Sequence, residues 1–178
     1  MLSLSSVRSR ITFFVNLMCV VLPPPAALPF VHLTTIFNGP CCSVRVAEYG
    51  GVFKVTDGFL EKFGKDRVRN TPLCESAIVG AALGLSLKNR KAIMEMQFAD
   101  FATVGFNQIV NNLAKLHYRW GQNADVVIRM PTGAGVGAGP FHSQSNEAWF
   151  FHTPGLKIVY PSNPEDAKGL MTAAIEDP

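Results

Sequence analysis

From Val46 onward the chain alternates between two kinds of apolar pattern. Three short runs rich in apolar and β-branched residues, Ala92 to Gln97, Asp125 to Met130 and Leu156 to Tyr160, have the length of strands. Longer stretches between them carry apolar residues at helical spacing. After a turn at Glu48-Tyr49-Gly50-Gly51, Phe53 to Phe63 reads as a short helix closed by Gly64. Thr71 as cap and Pro72 in the first helical position predict a helix running on from Leu73 to about Leu87. Phe106, Ile109, Val110 and Leu113 mark one face of a long helix over 101–118. Ser145 to Phe151 reads as a further helix, and Asn163 or Pro164 opens a last one that ends at Ile175. Strands separated by helices predict an α/β fold, a parallel sheet with right-handed crossovers and helices on both faces. Ligands of such sheets sit beyond the carboxyl ends of the strands, which points to the loops at Asp100, 131–143 and 161–163.

The helix from Leu73 is apolar nearly all round, and Ala77, Gly80, Ala81 and Gly84 flatten one of its faces. Such a helix belongs in an interior or under a partner subunit.

Composition changes the picture mainly for the first 45 residues. They begin MLSLSSVRSR, pass through the apolar run ITFFVNLMCVVL and reach the proline-rich stretch Pro23 to Pro29. A mitochondrial transit peptide and a secretory signal both fit, as does a segment that is not native to the domain. The run is short for a transmembrane helix and is stopped by Pro23-Pro24-Pro25. The expectation is therefore a leader over 1–45, which does not pack with the domain, and a folded part over 46–178. All 13 acidic residues lie at or after Glu48, whereas Arg8, Arg10 and Arg45 precede it, so the formal charge of +3 belongs to the leader and the rest is neutral. Without a basic cluster there, no nucleic-acid partner is expected. Cys19, Cys41 and Cys42 also fall in the leader, and lone Cys74 reads as a small buried apolar residue in a reducing compartment.

Two side chains could carry chemistry. Glu75 stands in the first turn of an apolar helix, where it is either a solvent-facing complement to the helix dipole or a carboxylate held in a dry site for proton exchange. His142 lies between the glycine-rich loop Pro131 to Pro140 and Ser143-Gln144-Ser145, a better position for function than that of His117 or His152. Within the loop, Gly133, Gly135 and Ala138 match the G-x-G-x-x-A dinucleotide pattern. Pro140 and Phe141 then intervene where a helix should begin, and no acidic residue follows at the required distance. Metalloprotease, zinc, hydrolase and P-loop motifs are absent.

The segments NTPLCESAIVG, MEMQFADF, FNQIVNNLAK and FHSQSNEAWFFHTPGLKIVYPSNPEDAKGL resemble β subunits of thiamine-diphosphate-dependent 2-oxo acid dehydrogenases. The likeness spans 46–178 and implies the transketolase-like pyrimidine-binding fold, truncated at both ends. By this resemblance, Glu75 hydrogen-bonds the aminopyrimidine of thiamine diphosphate and promotes the imino form whose nitrogen deprotonates the thiazolium carbon. Phe101 packs on the pyrimidine where some relatives have Tyr, Leu73 and Gln97 complete the cofactor contacts, and His142 serves acyl transfer to a lipoyl arm. A potassium ion is implied at the backbone oxygens of Val126, Val127 and Ala174 and the Asp177 carboxylate. The Gly-Asp-Gly motif that holds diphosphate and magnesium belongs to the α subunit, so this chain would share its cofactor within an α2β2 heterotetramer that serves a lipoyl-bearing acyltransferase core.

The expected activity is oxidative decarboxylation of a 2-oxo acid. LCES and SQSNEA are closer to the branched-chain type than to the pyruvate or acetoin type. The implied compartment is the mitochondrial matrix in a eukaryote or the cytoplasm in a bacterium, with no membrane partner. Two readings compete with this one, an inactive truncated fragment that only binds a partner and, on the weak glycine pattern, a dinucleotide-dependent oxidoreductase.

Overall fold

The computed structural model describes residues 12–17, 41–43, 46–122, 124–133, 135 and 137–177. Its strands are β1 (Thr12–Leu17), β2 (Cys41–Ser43), β3 (Val68–Asn70), β4 (Ala92–Glu95), β5 (Val126–Pro131) and β6 (Leu156–Val159). They form one sheet in the order β3-β2-β4-β5-β1-β6, every pairing parallel. The helices are α1 (Phe59–Phe63), α2 (Glu75–Ser86), α3 (Ala102–Asn107), α4 (Ala114–Trp120) and α5 (Pro164–Glu176), and a π-helical segment (Gln108–Leu113) joins α3 to α4. Among the described residues, no helix is long and apolar enough to cross a membrane.

Alternation along the strands divides the core between two faces. Ala92, Met94 and Met96 with Val126, Ile128 and Met130 are buried against Ile78, Val79 and Ala82 of α2 and against Ile109, Leu113 and Leu116. One residue out of step, Ile93 and Val127 pack on the opposite face with Met171, Ala174 and Ile175 of α5. Helices therefore cover both faces of a parallel sheet, as the strand and helix pattern predicts. A third cluster, Val46, Ala47 and Val68 with Phe59, Leu60 and Phe63, supports the β3 edge.

Several elements differ from the sequence expectation. Helix α2 begins at Glu75 with Cys74 as its cap residue, so Thr71 does not cap it and Pro72 precedes it; the chain leaves β3 at Asn70 and bends at Leu73 before the helix starts. Cys74 is exposed, not buried, because it belongs to that approach to the helix. Left-handed backbone at Phe53 (φ 56) and Lys54 (φ 61) splits the expected Phe53–Phe63 helix into a 3-10 turn (Val52–Lys54) and α1. The expected helix over 145–151 is a single 3-10 turn, Glu147–Trp149. The opening of α5 is as read, since Asn163 Oδ1 accepts from the Asp166 backbone N–H at 2.8 Å and Pro164 follows it.

The largest difference lies ahead of Val46. Strand β1 sits between β5 and β6, and β2 sits between β3 and β4, so parts of the expected leader belong to the sheet. A continuous apolar run such as TFFVNL has the composition of a buried parallel strand as well as that of a signal segment, and periodicity does not separate them.

Candidate active site

The carboxyl ends of β4 and β5 converge on one group of side chains. Beyond β4 the chain passes through Met96, Gln97 and Phe98 into a 3-10 turn, Ala99–Phe101, that leads directly into α3. Beyond β5 it enters the glycine-rich loop, which returns through His142 to Gln144. The His142 ring stands edge-on to two aromatic rings, with centroids 4.9 Å from Phe98 and 5.5 Å from Phe101, and the two phenylalanines are 5.9 Å apart. This triangle half-buries the imidazole and sets its orientation. Between the two phenylalanines in sequence lies Asp100, buried, whose Oδ1 accepts from Gln144 Nε2 at 2.7 Å. Gln144 was not a sequence candidate; the stretch from Ser143 to Ser145 carries no periodic signal that reveals a long-range partner.

The start of α2 packs against α3. Glu75 is the first residue of α2, half-buried, at the end where the helix dipole favours a carboxylate. Its turn packs on α3 at Gly105, one turn beyond Phe101. A β-carbon added at Gly105 would lie 3.5 Å from the Glu75 carbonyl oxygen, 3.3 Å from Val79 Cγ2 and 3.5 Å from Met96 Cε. Gly105 thus permits the close approach that holds Glu75 beside the β4 end. Of the other expected residues, Gln97 is half-buried just past Met96, and Leu73 is 69% exposed on the approach to α2. Phe101 and His142 touch, and the Glu75 backbone packs on α3 at Gly105, four residues beyond Phe101.

Beneath this region, Glu95 of β4 and Arg129 of β5 form a buried ion pair between adjacent strands. The backbone N–H of Val52 donates to Glu95 Oε1 at 2.9 Å, which anchors the turn after Val46. Gly51, at φ 76, leaves room for this contact; a β-carbon there would come within 2.9 Å of Glu95 Oε1 and 2.6 Å of Thr56 Oγ1. Neither Glu95 nor Arg129 stood out in the sequence, because each is a single charge inside an apolar run.

Residues 43–178 match the family described as transketolase, pyrimidine binding domain. The chain belongs to this family. Similar proteins include the mitochondrial 2-oxoisovalerate dehydrogenase subunit beta 2 of Arabidopsis thaliana, 50% identical over 133 residues, covering 73% of this chain and 37% of the relative. The 2-oxoisovalerate dehydrogenase subunit beta of Bacillus subtilis is 50% identical over 134 residues, 74% of this chain and 41% of that protein. The mitochondrial pyruvate dehydrogenase E1 component subunit beta of Saccharomyces cerevisiae is 44% identical over 136 residues, 75% of this chain and 37% of that protein. The chain therefore spans between 37% and 41% of the length of these curated relatives.

Leu73 and Glu75 follow the carboxyl end of β3, and Phe101 follows that of β4. The potassium donors fare differently. Val126 and Val127 open β5, a strand paired on both sides, at the amino end of the sheet and away from Glu75. There Lys157 Nζ donates to both Asp177 carboxylate oxygens, at 2.9 and 2.7 Å, and Lys91 Nζ donates to the carbonyl oxygens of Ile175, at 2.7 Å, and Asp177. Of the four donors expected for potassium, the Asp177 carboxylate is the one held by an ammonium group, that of Lys157. Among the described residues, no group of three or more His, Cys, Asp or Glu side chains is placed to hold a metal.

Proposed function

We propose that this chain is the cofactor-activating part of a 2-oxo acid dehydrogenase β subunit, of the branched-chain type. The observation that carries the reading is the placement of Glu75 at the start of α2, against α3 just beyond Phe101, with His142 packed on Phe101. The 50% identity to two proteins named for 2-oxoisovalerate, against 44% to one named for pyruvate, favours the branched-chain substrate. Pyruvate or acetoin is the second reading.

Thiamine diphosphate, when bound, supplies a thiazolium carbon able to add to a 2-oxo acid and to accept the charge left when carbon dioxide departs. Glu75 exchanges a proton with a nitrogen of the aminopyrimidine from the first turn of α2. Phe101 offers an aromatic face to the pyrimidine, Leu73 and Gln97 border it, and His142 serves the passage of the acyl group to a lipoyl arm. An α-type partner holds the diphosphate and magnesium, completing an α2β2 assembly that works with a lipoyl-bearing acyltransferase. The compartment is the mitochondrial matrix in a eukaryote and the cytoplasm in a bacterium.

Glu75→Gln in the β subunit assembled with its α partner tests this reading. The amide keeps size and some hydrogen bonding but not acid-base function. Cofactor binding should persist, while deuterium exchange at the thiazolium carbon and decarboxylation should fall by about 10²–10⁴-fold. Near-normal exchange would leave Glu75 as a helix-dipole residue and overturn the assignment.

A further inference from the structure

The glycine-rich loop is closed by one residue in two ways. The Gln144 carbonyl oxygen accepts from Thr132 Oγ1 at 2.7 Å and from the Gly133 backbone N–H at 3.1 Å, joining the two ends of the loop. Its side-chain amide then donates to Asp100 Oδ1 at 2.7 Å, joining the closed loop to the turn that starts α3. Inside the loop, the His142 backbone N–H donates to the Gly139 oxygen at 3.3 Å, and Ser143 Oγ accepts from the Ala138 N–H at 2.8 Å. The two segments joined by the Asp100–Gln144 bond are the same two whose rings meet, His142 with Phe98 and Phe101. Asp100 is only 6% exposed, and its other oxygen, Oδ2, is buried with no hydrogen-bond partner. A buried carboxylate in that state depends heavily on the one donor it has.

We propose that Asp100 and Gln144 form a latch that positions His142 against Phe98 and Phe101. Both are positioning residues, and the latch rests on the proposed function only for its effect on acyl transfer. Ring contact alone would leave the loop free to slide its imidazole along the two aromatic edges. The charge-assisted bond, two residues along the chain from His142 and adjacent to Phe101, sets the distance and register of that contact.

The test measures the rate at which diethyl pyrocarbonate modifies His142 in the assembled protein, with exposed His152 as internal reference, together with amide hydrogen exchange over 133–144. Gln144→Leu and Asp100→Leu should speed His142 modification by about tenfold or more, the scale of a lost hydrogen bond to a charged group, and should raise exchange in the loop. Asp100→Asn keeps an acceptor oxygen for Gln144 Nε2 and should stay within about twofold of the parent. Unchanged His142 reactivity in Gln144→Leu, or equal disturbance by Asp100→Asn and Asp100→Leu, would overturn the latch. Should Asp100→Leu not fold, Gln144→Leu decides, since Gln144 is exposed. If the leucine variants free the ring while His142→Ala leaves acyl transfer unchanged, the latch stands and the role proposed for His142 falls.

Discussion

Glu95 and Arg129 face each other across β4 and β5 in nearly complete burial, 2% and 6% exposed. Removing two charges from water costs several kcal/mol each, and their attraction repays this only while both are present. Arg129→Met should therefore destabilise the protein by about 3–5 kcal/mol, because it strands the Glu95 carboxylate. Glu95→Gln combined with Arg129→Met should recover most of that loss, and the measurement is a denaturant midpoint for each variant. A double variant as unstable as Arg129→Met would show that Arg129 matters through its packing and not through its charge. At this scale the sequence was partly legible. Glu75 and His142 were marked by local context, a helix start and a glycine-rich loop. Asp100, Gln144, Glu95 and Arg129 act through partners 34 or more residues away in the chain, and a single sequence does not display such pairs.

Elements repeat the lesson with different physics. Strands β4, β5 and β6 and helix α5 were readable because alternation, β-branched content and the Asn163-Pro164 cap are local signals. The three-residue strands β2 and β3 owe their existence to sheet neighbours, and the π-helical segment interrupts a helix whose apolar spacing continues across it. The end of α5 is the element-scale surprise. Lys91, just before β4, and Lys157 in β6 both reach it, placing ammonium groups where the helix dipole and terminal carbonyls favour cations. The thermal midpoint should accordingly be the same in potassium and sodium chloride at equal ionic strength. Lys91→Met should lower stability by about 1–2 kcal/mol, consistent with lost bonds from a charged donor at a partly buried helix end. Stabilisation by potassium specifically in the parent protein would show that the ion competes successfully with Lys157 for the Asp177 carboxylate and would reverse this expectation.

At the scale of the whole molecule the two faces of the sheet are unequally covered. Among the described residues, helices α2, α3 and α4 shield one face, whereas α5 packs on the other, and every residue of β6 is half-buried. The outer surface of α2 shows Ala77, Ala81 and Gly84 to solvent, with nothing within 4 Å of the place a β-carbon would take at Gly84. Leu73 and Leu87 are exposed at either end of that helix, and Tyr118 and Trp120 project from α4 at 88% and 65% exposure. Scattered exposed apolar residues are ordinary, but a smooth small-residue helix face bordered by leucines is the kind of surface that a partner covers. The chain by itself should therefore associate, sedimenting as a concentration-dependent mixture of oligomers. Co-expression with an α-type subunit should yield a defined complex in which hydrogen exchange slows along α2. Replacing Ala77 and Ala81 together by Glu, which suits a helix and does not touch the buried Ile78, Val79 and Ala82, should make the isolated chain more monomeric and weaken the complex. A parent chain that sediments as a single monomeric species, with a cooperative melt and no change on adding the partner, would show that this face needs no cover.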